Sequence, residues 1–495
     1  MKCYKNLVFS RYNGVYMAVV LLLTVSTLTQ AKGTVYTRNL HLDDKGMQAC
    51  TSVLQHVIDS LAESGGGRLC FTPGRYLSGG LTLRSNIELY FEQGSTLLGS
   101  TNPYDYQLVN IANTDDMRND NASMALLIAD NAEHISICGE GTIDGQGLQL
   151  ALNADSLHHT GERIDPHYNM RRQRTSELMR PKLLFFYRCS DILIHNMHMR
   201  SSANWGLSFH LCEHISLSRI DIENRAYWNN DGIDLTDCRF AKVTDCRINA
   251  ADDGVCLKSY HSDRRCEDIE ISGCHIRSSA SAVKFGTASW GGFHNIHIHD
   301  IRVEDTFRSA IAIESVDGGD IDSILVERVD ARNTGNPIFI RLGQRAGKKK
   351  GSIRNVTIRQ FKCQVPFGRP DEAYDLRGPE VDFFHNPFPS SICGIPENRI
   401  ENVFIEDVEL CYPGRATKGM AYMPLWRMQD VPEQTDKYPE FTMFGELPAW
   451  GFYVRHVNGI TFRRVRLTLQ DSDFRPPFVF DDVDHCVNQD IIVYQ

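Results

Sequence analysis

The sequence predicts an all-β chain wound as a right-handed, single-stranded parallel β-helix with an N-terminal helical cap. Three observations carry this reading. Asp231-Gly232-Ile233-Asp234-Leu235 is rewritten 22 residues later as Asp253-Gly254-Val255-Cys256-Leu257, and self-similarity at such a period marks a solenoid. A short apolar–polar alternation recurs from about residue 130, as in His134-Ile135-Ser136-Ile137, Asp268-Ile269-Glu270-Ile271 and Asn402-Val403-Phe404-Ile405. Period two buries one face and exposes the other. Between Ile192 and Ile324 the copies lie 23–28 residues apart. That length fits three short strands and their turns, whereas a propeller blade takes about 40 residues.

The elements follow in order. Residues 1–31 read as a secretory leader, with Lys2, Lys5 and Arg11 ahead of an apolar run from Val15 to Leu28 and a small-x-small end at Thr29-Gln30-Ala31. The run falls short of the ~20 residues that span a bilayer. The expectation is a secreted or periplasmic protein with no membrane span after cleavage. Residues 32–110 read as the cap and first coils. Val53, Val57 and Leu61 recur at helical spacing over 47–63, and Gly65-Gly66-Gly67 ends that helix. Strands follow at Arg68–Phe71, Leu81–Leu83 and Ile87–Phe91, punctuated by Pro73-Gly74 and Ser85-Asn86. Residues 111–495 read as the catalytic β-helix. Three intervals stretch its period and read as cleft loops: 145–181 (Arg171, Arg172, Arg174), 363–401 and 411–458. Trp426, Tyr438, Phe441, Phe444 and Trp450 either wall a sugar cleft or pack the C-terminal end.

Of the 495 residues 42% are hydrophobic and the formal net charge is −10. That balance argues against nucleic acid as a partner but leaves room for an acidic substrate in a locally basic cleft. The cysteines, among them Cys189 and Cys212 three residues before a strand's first Ile, read as stacked free thiols. No linear spacing for zinc or calcium is present, so no metal or cofactor is expected. The protein is expected to be a monomer.

A second strand series aligns Trp205–His210, Asp231–Thr236, Asp253–Lys258, Ser281–Gly286, Ser309–Glu314 and Asn336–Arg341. Its third and fifth positions are apolar throughout. The fourth and sixth point outward and bring His210, Asp234, Lys258, Lys284, Glu314 and Arg341 to one face. Asp231 and Asp253 fall in the turn before each strand, with Asp252 beside them. Turn aspartates often only cap backbone N–H groups. Three carboxylates in one patch repel one another and raise a pKa, which a structural turn does not need but an acid beside a base does.

Asn229-Asn230-Asp231, Asp252-Asp253 and the capping stretch Gly79-Gly80-Leu81-Thr82-Leu83-Arg84-Ser85-Asn86 make the chain resemble glycoside hydrolase family 28, the polygalacturonase and rhamnogalacturonase group. The resemblance implies a pectin-lyase-like solenoid that hydrolyses α-linked uronic-acid polysaccharide with inversion and without a cofactor. It implies Asp252 as general acid and Asp231 and Asp253 as activators of water. The sequence departs from the family at two motifs. Gly-His-Gly falls on Ala280-Ser281-Ala282, and Arg-x-Lys on Ala312-Ile313-Glu314, so the family's substrate-binding His and cations are absent there. That shifts the expected substrate from plain homogalacturonan toward rhamnogalacturonan, with Lys258, Lys284 and Arg341 as a substitute carboxylate clamp and Asp234, His210 and Glu314 as further substrate contacts. Two alternatives stay open. A polysaccharide lyase of the same fold would use Lys258 as base and the aspartates on Ca²⁺. A non-catalytic glycan-binding β-helix would fit the missing motifs, but retention of all three aspartates speaks against it.

Overall fold

The computed structural model describes residues 33–109, 123–346, 349–371, 388–419, 421 and 425–495. The leader at 1–31 lies outside the described residues, as does 372–387 of the second cleft loop. The described chain is all-β in character, with 30 strands in one continuous ladder system. The pairings between these strands are parallel, and three interior columns climb through them.

Ile135, Ile192, Ile215, Ala241, Ile269, Ile296, Ile324, Val356, Val403 and Ile460 are successive register partners. A second column runs Leu127, Leu184, Leu207, Ile233, Val255, Val283, Ile311 and Ile338. The third runs Ile143, Met199, Ile222, Ile248, Ile276, Val303 and Ala331. The three columns meet in one core that extends from Cys50 to Leu469. This is a parallel β-helix. Each coil hydrogen-bonds the next at a rise of about 4.8 Å, which satisfies the backbone along the stack. Each fully buried Ile or Val contributes on the order of 1.5–3 kcal/mol.

One bend recurs in every coil. Asp191, His214, Asp268, Asn295, Asn355 and Asn402 each precede the first interior residue of the first column, and their φ values lie between +52° and +55°. Asn, Asp and His tolerate this left-handed conformation better than other side chains. That accounts for the polar residue that opens most repeats; Phe240 (φ +53°) and Gly459 (φ +85°) hold the same place before Ala241 and Ile460.

Helix Thr51–Glu63 buries Leu54, Val57, Ile58 and Leu61 against this core. It starts later than periodicity suggested, because Lys45–Ala49 pairs as a strand with Gly74–Ser78. The first cleft interval is not all loop. Gly147–Thr160 is a helix that buries Leu150, Ala151 and Ala154 and ends at Gly161, φ +80°. Its polar surface masked the narrow apolar stripe. The fourteen described cysteines are free, and those on the inner columns stack, with Cys189 N 3.4 Å from Cys212 Sγ. Among the described residues no helix is long and apolar enough to cross a membrane.

The aromatic residues of 411–458 divide between the two roles. Phe441, Phe444 and Trp450 are buried, the first two in a cluster with Phe339, Phe388 and Tyr453. Tyr438 is half exposed. The Trp426 side chain lies outside the described residues.

Candidate active site

Two turns, each leading into a strand of the second column, build the site. Asn230 is fully buried and spends its amide on Ser202 O (2.9 Å) and Asn204 O (2.7 Å). Asn224 Nδ2 donates to Asp231 O at 2.8 Å. These bonds fix the turn that presents Asp231. The glycine after each aspartate is required by close approach. A Cβ on Gly232 would sit 2.4 Å from Gly254 O, and one on Gly254 would sit 2.6 Å from Ala282 O. The Asp-Gly phrase therefore repeats because backbone stacks on backbone at this point.

Asp231, Asp252, Asp253, Lys258 and Lys284 line one small cavity of about 110 Å³, closed on its sides by Trp205, Tyr260, Glu177 and Tyr438. Lys258 Nζ donates to Asp234 Oδ1 at 2.7 Å and Asp231 Oδ2 at 3.2 Å, and lies 4.5 Å from the Trp205 ring centroid. Lys284 Nζ lies 3.2 Å from Asp253 Oδ2 and donates to Tyr438 OH at 3.0 Å. Asp253 Oδ1 accepts from Ser281 N at 3.0 Å, and Asp252 Oδ1 accepts from Asp253 N at 3.0 Å.

The three aspartates differ in their affinity for a proton. Burial, and then the adjacent Asp253 charge, pushes Asp252 up to about 6 against the pull of Arg308, Lys284 and Lys258. For Asp253 burial also acts upward, but Lys284, Lys258 and Arg308 together outweigh it and hold the carboxyl below its ordinary value. Burial and the neighbouring Asp234 carry Asp231 well above its ordinary value despite Lys258. Burial works against the charge on Lys258 and Lys284, yet Asp234 and Asp253 respectively prevail and both ammonium pKa values rise.

The structure thus brings Asp231, Asp252, Asp253, Lys258 and Lys284 together. Asp234 lies directly behind, fully buried against Lys258. Three predicted substrate contacts are corrected. Arg341 is 1% exposed and donates to the carbonyls of Gly394, Glu433 and Gln434, so it ties down the 411–458 segment. Glu314 is buried beneath Lys284 and does not line the cavity; burial, opposed by Lys284, pushes it up to about 8. His210 lies behind Tyr260, with ring centroids 5.6 Å apart, and faces His261. Alternation shows which side chains leave the strand outward, but it does not show which are then covered by another segment. The register also breaks after Leu257↔Phe285, so Lys258 has no partner at Gly286.

Sequence reasoning missed Arg308. It pairs with Glu440 at 2.7 Å and acts electrostatically on Asp252 and Asp253. Its N–H donates to Ala280 O at 2.9 Å, so Asp252, Ala280 and Arg308 occupy the same turn position in successive coils. Carrying the alignment one residue ahead of the strand would have found it. The Arg-rich interval supplies Glu177 to the cavity wall and lays Arg174 4.3 Å from the Trp228 ring centroid.

The sequence profile described as glycosyl hydrolases family 28 matches residues 92–365. The chain belongs to that family. By family it is a glycoside hydrolase, and all three aspartates, both cavity lysines and Arg308 fall inside the match, whereas Tyr438 and Glu440 fall outside it. A "Probable polygalacturonase" of Vitis vinifera is 24% identical over 324 residues, 63% of this chain and 57% of that protein. An endo-polygalacturonase of Pectobacterium parmentieri is 23% identical over 294 residues, 59% of this chain and 71% of that protein. Among solved structures, an exopolygalacturonase from Thermotoga maritima superposes with a TM-score of 0.62 at 20% identity, covering 77% of this chain and 87% of that one. A family 28 exopolygalacturonase from Yersinia enterocolitica gives 0.64 at 15% identity, covering 92% and 78%. These likenesses establish the shared fold.

Proposed function

We propose that this protein is an exported, monomeric hydrolase of α-linked, uronic-acid-containing pectic polysaccharide, rhamnogalacturonan or galacturonan, acting with inversion. One observation carries the reading. Two adjacent aspartates share one cavity with their proton affinities shifted in opposite directions, Asp252 upward and Asp253 downward, which is the division an acid–base pair requires. Asp252 donates its proton to the glycosidic oxygen as the C1–O bond breaks. Asp253 takes a proton from the water that attacks C1 on the opposite face. Asp231 shares the Lys258 ammonium with Asp234, and burial raises its affinity for a proton while that of Asp253 is lowered, so its part is to orient that water, a narrower role than joint base.

A lyase mechanism would need a neutral Lys258 to abstract a proton. The charge of Asp234, 2.7 Å from the ammonium, opposes that. The names of the relatives support a galacturonate-containing glycan, and the pattern of residues 1–31 supports export. The coil is taken as right-handed, and helix Thr51–Glu63 as the cover of its N-terminal end, where an open strand edge would otherwise invite aggregation.

The test is incubation of purified protein with homogalacturonan, rhamnogalacturonan and their oligomers, with product chromatography and proton NMR of the first anomer formed. Saturated products with a β anomer are expected. An unsaturated product absorbing in the near ultraviolet, or an initial α anomer, overturns the mechanism.

A further inference from the structure

Behind the Tyr260 wall, three side chains that are far apart in sequence converge. His210 ends strand Leu207–His210, Asp237 follows Ile233–Thr236, and His261 lies just beyond Val255–Ser259. Three successive coils thus deliver one donor each. The His210 side chain is 1% exposed, that of Asp237 is fully buried, and His261 is partly exposed. His210 Nε2 lies 3.2 Å from His261 Nε2 and 3.9 Å from Asp237 Oδ2. The three donor atoms all fall within 4.8 Å of one another.

We infer that His210, Asp237 and His261 form a site for a zinc-type divalent cation. Two imidazoles and a carboxylate are a zinc donor set, and Zn–N distances of 2.0–2.1 Å in a tetrahedron set the N···N edge at about 3.3–3.4 Å. The observed 3.2 Å is close to that edge, and the 3.9 Å edge to the carboxylate closes with a shift of about half an ångström. The carboxylate is already aimed. Ser259 Oγ donates to Asp237 Oδ1 at 2.7 Å and Tyr260 N donates to Oδ2 at 2.9 Å, the outer support that metal-binding carboxylates have. The Nδ1 of His210 has no hydrogen-bond partner among the described residues, so the polar interactions of that ring lie on the Nε2 edge.

Asp237 also lines a larger cavity of about 600 Å³. That cavity, lined by the acidic Glu213, Asp263, Glu267 and Asp320 as well as by Arg and Lys side chains, gives solvent access to the carboxylate side of the site. Of the neighbouring charges Lys182 opposes a cation and Asp263 favours one. The expectation of no metal rested on linear spacing, which cannot register donors assembled from three coils. A bound ion would fasten those coils together directly behind Tyr260, a wall of the substrate cavity.

The test uses full-length, tag-free protein, stripped with chelator, dialysed and titrated with Zn²⁺ or Co²⁺. Expected are one equivalent of zinc by elemental analysis, the visible absorption of tetrahedral Co²⁺, and a higher melting temperature with zinc. His261→Gln, at the partly exposed ligand, should weaken the affinity by at least ~100-fold, beyond the range for loss of an outer hydrogen-bond partner, while still melting cooperatively. Asp237→Asn should act the same way. Absence of stoichiometric uptake by folded wild-type protein, or equal uptake by His261→Gln, overturns the site and leaves a hydrogen-bonded histidine pair.

Discussion

Lys284→Met tests the assignment of acid and base most directly. Lys284 is the cation that lowers the Asp253 pKa most strongly, with its Nζ 3.2 Å from the carboxylate and both side chains nearly buried. An opposite charge at such range depresses a carboxyl by about 1–3 units, equivalent to roughly 1.4–4 kcal/mol. Its loss should raise Asp253 by that amount, toward the position of Asp252 at about 6. The base must be ionised, so the acid limb of the kcat/KM profile moves to higher pH by about 1–3 units. With acid and base then competing for one proton, the peak height falls as well. The assay is kcat/KM from about pH 2.5 to 9 on the best pectic oligosaccharide, so that the wild-type acid limb falls inside the range, at a temperature where a melting curve shows the variant folded. That control matters because removing one partner of a buried pair costs about 3–5 kcal/mol. An acid limb within about 0.3 unit of wild type would refute the proposal that Asp253 is the base held ionised by Lys284.

Asp252→Asn should lower turnover by at least 10²–10⁴-fold, the usual contribution of a positioned acid, with substrate affinity by calorimetry little changed; activity within about threefold of wild type refutes the acid role. Glu314→Gln should flatten the pH dependence of stability. A buried carboxyl near 8 against 4.5 unfolded binds more protons folded than unfolded, so its contribution becomes unfavourable as pH rises above 4.5 and reaches about 3 kcal/mol by pH 7. The variant's melting temperature should therefore drop less than wild type between pH 5 and 8, and an unchanged difference would refute the shift. Gly232→Ala places a Cβ 2.4 Å from Gly254 O and should destabilise by about 1–3 kcal/mol in denaturant melts; a neutral effect would mean that the stacking there is loose.

The coil was legible in the sequence because its rule is local. A residue in the left-handed conformation, most often polar, then alternation with an apolar side chain inward, is written out at one repeat after another. The three catalytic candidates were legible because the turn that carries them is copied between neighbouring coils, so one register fixes all of them. Arg341, Glu314 and His210 were misplaced for a common reason. Each leaves its strand outward as alternation demands but is buried, and for two of them a segment remote in sequence supplies the contact: Glu433 and Gln434 at Arg341, and His261 at His210. The helix Gly147–Thr160 was overlooked because only one side of it is buried. The His210–Asp237–His261 cluster was invisible to spacing, since its members are neighbours only after three coils have stacked.

The pairing of charges in the cavity bears on the choice of glycan. Lys258 is taken by Asp234, Lys284 by Asp253, and Arg308 by Glu440. Each of the three cations nearest the proposed acid and base therefore already has a carboxylate, and Ala312 and Glu314 stand where the resemblance puts the family's pair of cations. A uronate carboxylate placed at this point would have to displace an internal partner, and breaking a buried pair costs more than an exposed contact returns. A neutral sugar would face no such cost. In rhamnogalacturonan a neutral rhamnose alternates with galacturonate, so one residue at the scissile bond can be neutral while its neighbour meets a cation farther out, such as the exposed Arg172 beside Trp228. Homogalacturonan has no neutral residue to offer. The cavity's internal neutrality thus agrees with the loss of the Arg-x-Lys motif in favouring the alternating polymer.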